Sequence, residues 1–179
     1  MYEHEIKAVL DAYMSIYGLD LSYMRFKVSP RPVYTNGKLC LDKDPDECAG
    51  DWTKLGWIRL NSDMPSVMFR YGVDGDVTAF TRAIIAHELA HELWNNVVDE
   101  GFKQDILARA KNENFNTIYL KTVRQNKLDE ETFCEYIAKM VIGADAGLEF
   151  RQVLGVGGEL KQILYKMPSY TDNSRLKMS

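Results

Sequence analysis

The chain is poor in the residues that build several common kinds of site. It has three cysteines, Cys40, Cys48 and Cys134, in 179 residues. Their number is odd and none forms a CxxC pair, which argues against a disulfide framework and against a cysteine-only zinc site. Histidine is equally scarce: His4, His87 and His91. Any metal site must therefore draw on these three and on carboxylates. Basic residues are not in excess, since 22 Lys and Arg face 26 Asp and Glu for a formal charge of -4. A broad basic surface for nucleic acid is not expected from that balance. No apolar run approaches the ~20 residues that a membrane helix needs. The start, Met1-Tyr2-Glu3-His4-Glu5, is acidic and lacks the basic, then apolar, pattern of a signal peptide. The expectation is a cytoplasmic protein with reduced cysteines that binds neither membrane nor nucleic acid.

What is present suits one globular domain, expected over residues 1–166, with a polar tail at 167–179. Hydrophobic residues make up 46% of the chain, enough for a core without covalent staples. Ile6, Val9, Leu10, Tyr13 and Tyr17 recur at helical spacing, so residues 3–17 read as a helix stopped by Gly18. Met24 to Val28 alternates as a strand does, and Asn36-Gly37 signals a hairpin. Residues 42–51 read as a polar loop. Leu55 to Asn61 is the strongest strand signal, with Trp57 and Arg59 on one face and Ile58 and Leu60 on the other. A long helix is expected from about Thr78 to Val98, capped by Asp76 or Thr78. A further helix is expected over 102–111. Thr117 to Val123 is rich in β-formers and ambiguous. Another helix runs from Asp129 to Ile142, with shorter ones at 146–154 and 158–166.

Chemistry concentrates in one segment of the long helix, His87-Glu88-Leu89-Ala90-His91, an HExxH pattern. Side chains four apart on a helix lie one above the other, so two imidazoles here can hold one metal ion. The glutamate after the first histidine projects ~100° around the axis, beside the ion. There it can take a proton from an activated water and pass it to a leaving amine. Phe80, Ile84, His87, His91, Trp94 and Val98 form one stripe, which turns both histidines toward the interior. The competing reading is a pair of structural histidines on an amphipathic helix. Two of three histidines falling around one glutamate weighs against it. His4, in a Glu-His-Glu setting, is a poor third ligand, so a carboxylate from another helix is expected. Glu130, Glu131 and Glu135 are the candidates. Cys40 and Cys48, with the aspartates between them, read as a solvated acidic loop, and Gly155-Val156-Gly157-Gly158 lacks the GK[ST] of a phosphate loop.

HExxH followed by a helical glutamate resembles the gluzincin branch of zinc metallopeptidases. In outline, the chain looks most like compact ImmA/IrrE-like or phage-encoded members. It is also near the SprT-like group, whose third histidine this chain lacks. The pattern around the third ligand in those families matches Glu131-Thr132-Phe133-Cys134-Glu135-Tyr136-Ile137. The resemblance therefore implies His87, His91 and Glu131 on one Zn2+ and Glu88 as general base. Glu135, one turn beyond Glu131, is placed to accept from the free ring nitrogen of a ligand histidine. Tyr119, Tyr71 and Tyr136 are candidate donors to the transition-state oxyanion, with Tyr119 preferred. The implied fold is α+β: a minimal zincin-like core with a small, mostly antiparallel sheet. Its edge strand, Trp57, Ile58 and Arg59, would pair with an extended protein or peptide substrate. Two features depart from the pattern. Glu92 is charged where an uncharged residue is usual, and the interval from His91 to Glu131 is long. The alternative function is a zinc-stabilised binding module without turnover.

Overall fold

Gly18 closes the first helix as its conformational freedom allows. Its φ is 65°, and its N–H returns to the Met14 carbonyl at 2.9 Å. In this computed structural model, which describes residues 1–29, 50–52, 56–71, 75–117 and 119–142, that helix is α1 (Glu3–Tyr17). Glu3 and Glu5 in its first turn suit the helix dipole. Val9, Tyr13 and Tyr17 are buried at four-residue spacing. The Tyr13 hydroxyl donates to the Ala86 carbonyl at 2.6 Å, tying α1 to the HExxH helix.

Three strands follow: β1 (Arg25–Ser29), β2 (Gly50–Trp52) and β3 (Trp57–Asn61). Their order is β1-β3-β2. β1 runs parallel to β3, with Arg25 opposite Trp57 and Ser29 opposite Asn61. β2 runs antiparallel to β3, with Trp52 opposite Ile58. The described sheet is thus mixed, and its longer pairing is parallel, contrary to the expected mostly antiparallel sheet. A parallel partner needs a long crossover, and 27 residues separate Ser29 from Trp57, whereas the short link from Trp52 to Trp57 suits an antiparallel pair.

The expected edge strand is likewise corrected. Trp57, Ile58 and Arg59 lie on β3, which has a neighbour on each side. Ile58 is fully buried and Arg59 is 5% exposed, so the two faces do not divide into core and solvent as the alternation suggested. Both β2 and β3 pack against the HExxH helix, β2 more extensively. A Cβ at Gly50 would lie 2.9 Å from the Arg59 carbonyl oxygen and 3.1 Å from Ile84 Cγ2, so only a glycine fits there without displacement.

Helix α2 (Met64–Tyr71) leads to α3 (Val77–Glu92), capped by the Asp76 carboxylate accepting from Thr78 N–H at 2.9 Å. The chain continues through a wide π turn at Leu93–Val97, where the expected single helix to Val98 departs from α geometry. Helix α4 (Glu100–Asn112) and two short 3-10 turns, Leu120–Thr122 and Gln125–Lys127, lead into α5 (Leu128–Ile142). Within the β-rich segment, Leu120–Thr122 is a 3-10 turn rather than a strand. Asn116 Oδ1 accepts from Thr117 N–H and Thr117 Oγ1 accepts from Leu120 N–H, and such local bonds compete with a strand ladder.

Helix α3 lies at the centre. It packs against α5, α1, α2, β2 and β3. Ala83, Ala86 and Ala90 are buried on it, small enough to let these elements approach closely, and Ile85, Leu89 and Leu93 fill the core. Phe133 of α5 meets Trp94 and Phe102 edge-on, with ring centroids 5.2 and 5.9 Å apart. A ring buried this way contributes on the order of 1.5–3 kcal/mol. Among the described residues no helix is long and apolar enough to cross a membrane. The Asn36-Gly37 hairpin, the Cys40 and Cys48 loop, the glycines at 155–158, the expected helices at 146–154 and 158–166 and the tail lie outside the described residues.

Candidate metal centre

The HExxH segment gains its carboxylate partners because α3 packs against α5. His87 and His91 of α3 lie with ring centroids 5.0 Å apart and planes at 74°. His87 and Glu88 are each 7% exposed. From α5, Glu131 reaches between the two rings. Its Oε2 lies 3.0 Å from His87 Nε2 and its Oε1 lies 3.5 Å from His91 Nε2. Oε2 is buried and makes no aligned hydrogen bond there.

The far nitrogens of the rings are held separately. His87 Nδ1 donates to Glu135 Oε2 at 2.9 Å, and His91 Nδ1 donates to Glu130 Oε1 at 3.0 Å. An ionised carboxylate only accepts, so both Nδ1 atoms carry protons and both Nε2 atoms face Glu131. Each glutamate has further support. Thr117 Oγ1 donates to Glu135 Oε1 at 2.9 Å. Asn95 Nδ2 donates to Glu130 Oε1 at 2.9 Å and to the His91 carbonyl at 2.8 Å.

Electrostatics follow from this packing. Burial alone would lower the histidine pKa values, but Glu131 and Glu135 hold His87 well above its usual 6.5. Glu131 and Glu130 raise His91 in the same way against its burial. Burial would raise Glu131, yet the two imidazoles bring it down to about 2. Glu130 is lowered as well, His91 outweighing its partial burial. Protons and a metal ion compete for the same two Nε2 positions. Glu88 lies close enough for its charge to act on His91.

His87, His91 and Cys134 each place one donor atom within 4.8 Å of the others, so this group can hold a metal ion. Cys134 is fully buried on α5. Burial pushes its thiol pKa far up, and the carboxylates of Glu131, Glu130, Glu88 and Glu135 push it further. Glu131 offers an alternative donor, with Oε2 3.0 Å from His87 Nε2 and Oε1 3.5 Å from His91 Nε2.

The site brings together most of the residues expected from sequence and separates others. His87, Glu88, His91, Glu131 and Glu135 converge. Glu130 also joins, on the outer nitrogen of His91. Tyr119 sits with its ring edge-on to His87, centroids 5.5 Å apart, and hydrogen-bonds Glu131. Tyr136 does not reach the site: its hydroxyl is bonded to both oxygens of Glu113 at 3.1 Å. The Tyr71 side chain lies outside the described atoms. Trp57, Ile58 and Arg59 are not the strand flanking His91. Trp52 of β2 is, stacked on the His91 ring at 6.3 Å and 22°.

The unusual charge at Glu92 has a structural role. Glu92 is 5% exposed and accepts from Trp52 Nε1 at 2.8 Å, Asn96 Nδ2 at 3.0 Å and the Tyr23 hydroxyl at 3.1 Å. It thus anchors the indole that covers His91. Trp52, Asn95, Asn96 and Thr117 escaped the sequence reading. Asn95 and Asn96 had a signal, four residues beyond His91 and Glu92 respectively. Comparison with protein-family models, curated proteins and solved structures finds no match to this chain.

Proposed function

We propose that this chain is a zinc-dependent metallopeptidase, an endopeptidase acting on protein or peptide substrates. One observation carries the reading: two imidazoles, each fixed through Nδ1 by its own glutamate, turn their Nε2 atoms onto a third glutamate. Carboxylate-supported histidines are the usual setting of a metal ligand. His87, His91 and Glu131 would hold the ion, with Glu131 Oε2, 3.0 Å from His87 Nε2, as the third donor. Two nitrogens and one oxygen suit zinc with one position left open for catalysis. A zinc ion so held supplies a Lewis acid that acidifies water and polarises a carbonyl.

The remaining work falls to the chain's own side chains. Glu88 follows the first ligand and is nearly enclosed, so it can take the proton of the attacking water and hand it to the leaving nitrogen. Tyr119, beside His87 and bonded to Glu131, is placed to donate to an oxyanion on that side. Glu130 and Glu135 keep the rings in the tautomer that leaves Nε2 available. The resemblance of the HExxH segment and of the Glu131–Ile137 register to gluzincins agrees with this assignment.

The test is Glu88→Gln. One zinc per chain should remain, while chelator-sensitive cleavage of a peptide library falls by about 10²–10⁴-fold. Full activity in the variant would remove Glu88 from its role. Zinc binding in the native chain without cleavage of any peptide would favour a metal-held binding module instead.

A further inference from the structure

The turn from Thr117 to Leu120 touches the metal centre twice. Thr117 is 1% exposed, and its hydroxyl is used in both directions. It donates to Glu135 Oε1 at 2.9 Å and accepts from Leu120 N–H at 3.1 Å. Its own N–H is held by Asn116 Oδ1 at 2.9 Å. Two residues on, Tyr119 places its ring against His87 and its hydroxyl on Glu131. One hydroxyl therefore orients the carboxylate behind His87 and closes the turn that carries Tyr119. A methyl group of the same shape could do neither.

We propose that Thr117 is a positioning residue of the metal centre, acting on His87 through Glu135. This rests on the metal-centre reading above. The physical reason lies in the degrees of freedom. Glu135 has one oxygen on His87 and the other on Thr117, so both ends of its carboxylate are fixed in a buried place. Without the hydroxyl, Oε1 loses its donor and the carboxylate can rotate about its terminal torsion. The His87 ring then loses its fixed orientation. Hydrogen bonds in a water-poor setting are the ones whose loss is felt most. Support of this kind behind a ligand typically changes metal affinity by 10–100-fold. Thr117 acts at one remove, so the lower end of that range is expected.

A double-mutant cycle separates this role from plain packing. Zinc affinity is measured by competition with a chromophoric chelator for the full chain and for Thr117→Val, Thr117→Ser, Glu135→Gln and the Thr117→Val/Glu135→Gln pair. Thermal unfolding of the metal-free proteins checks that each is folded. Thr117→Val should weaken zinc about tenfold, and Thr117→Ser, which keeps the hydroxyl, less than about twofold. In the Glu135→Gln background the valine should add less than about twofold. If valine does not fold, Thr117→Ala takes its place in the same cycle. An equal loss in both backgrounds, or no loss with Glu135 intact, overturns the proposal. A native chain that holds no zinc overturns the metal-centre reading itself and this inference with it.

Discussion

His87 and His91 occupy successive turns of one helix and carry the same kind of support, yet their surroundings differ. Behind His87, with 9% of its side chain exposed, the Glu135 side chain is 6% exposed and the Thr117 hydroxyl is buried. Behind His91, at 13%, the Glu130 side chain is 31% exposed and its second partner is the half-buried amide of Asn95. One arm is dry and closed by a turn; the other borders solvent and is covered by the Trp52 indole. The same three-part arrangement should matter more where water cannot replace a lost partner. Glu131 belongs to both arms, since its two oxygens face the two rings.

The largest effect is therefore expected at the shared residue. Glu131→Ala should reduce bound zinc from one per chain to near zero, measured by elemental analysis of the purified protein. Cys134→Ser should retain it. The reverse result would make Cys134 the third ligand, and Glu131 would then not be the residue the two arms share.

Acidity comes next. The raised histidine values mean that both imidazoles hold their second proton to higher pH than a free imidazole does. Zinc affinity should fall about tenfold per pH unit for each proton displaced as the solution is acidified. For the metal-free fold the signs are opposed. The raised imidazoles contribute stability that is fully present below 6.5 and is lost as pH rises through their folded values. The lowered carboxylates of Glu130 and Glu131 contribute stability present above 4.5 and lost as pH falls, for Glu131 toward about 2. Metal-free protein should thus gain most from these groups between 4.5 and 6.5, and it should lose stability on the alkaline side that zinc restores. Chemical denaturation across pH, with and without zinc, reads this directly. A flat difference between the two forms would mean that the ion and the protons do not share a site.

The comparison of arms sharpens with the outer glutamates. Glu135→Gln should weaken zinc by about 10–100-fold, and Glu130→Gln by less than about tenfold. Amide side chains keep the shape while losing the charge that supports each ring. Equal losses would show that burial does not set the strength of the support.

Much of this centre was legible because helices announce themselves locally. The α1 bounds follow from the Ile6 to Tyr17 spacing and from Gly18. The convergence of His87 with His91, and of Glu131 with Glu135, follows from four-residue spacing on two helices. Glu130 was harder: it was one of three candidate ligands, and only the crossing of α3 and α5 sends it to His91 Nδ1. The sheet was misread for a different reason. Alternation in Trp57 to Leu60 describes one strand, whereas edge or centre depends on which distant strands flank it, and Arg59 is buried between β1 and β2. Trp52 lay just beyond the segment 42–51 read as a polar loop, and Thr117 at the start of one read as ambiguous and rich in β-formers. Their importance comes from contacts 18 to 40 residues away in sequence, which no local pattern encodes.

The smallest effect is expected at Asn95. Its amide bridges Glu130 and the His91 carbonyl across the wide turn after α3. Glu130 is partly exposed, so water can take the place of the lost donor in Asn95→Ala. The carbonyl bond is then the main loss, about 0.5–1.5 kcal/mol of stability. Zinc affinity should change less than about threefold, against about tenfold for Thr117→Val on the enclosed arm. Chelator competition on the two variants side by side makes the contrast quantitative. Should Asn95→Ala cost more zinc affinity than Thr117→Val, solvent access would not be what distinguishes the arms. The π turn itself, held at His91 by this amide, would then be the element that sets the second ring.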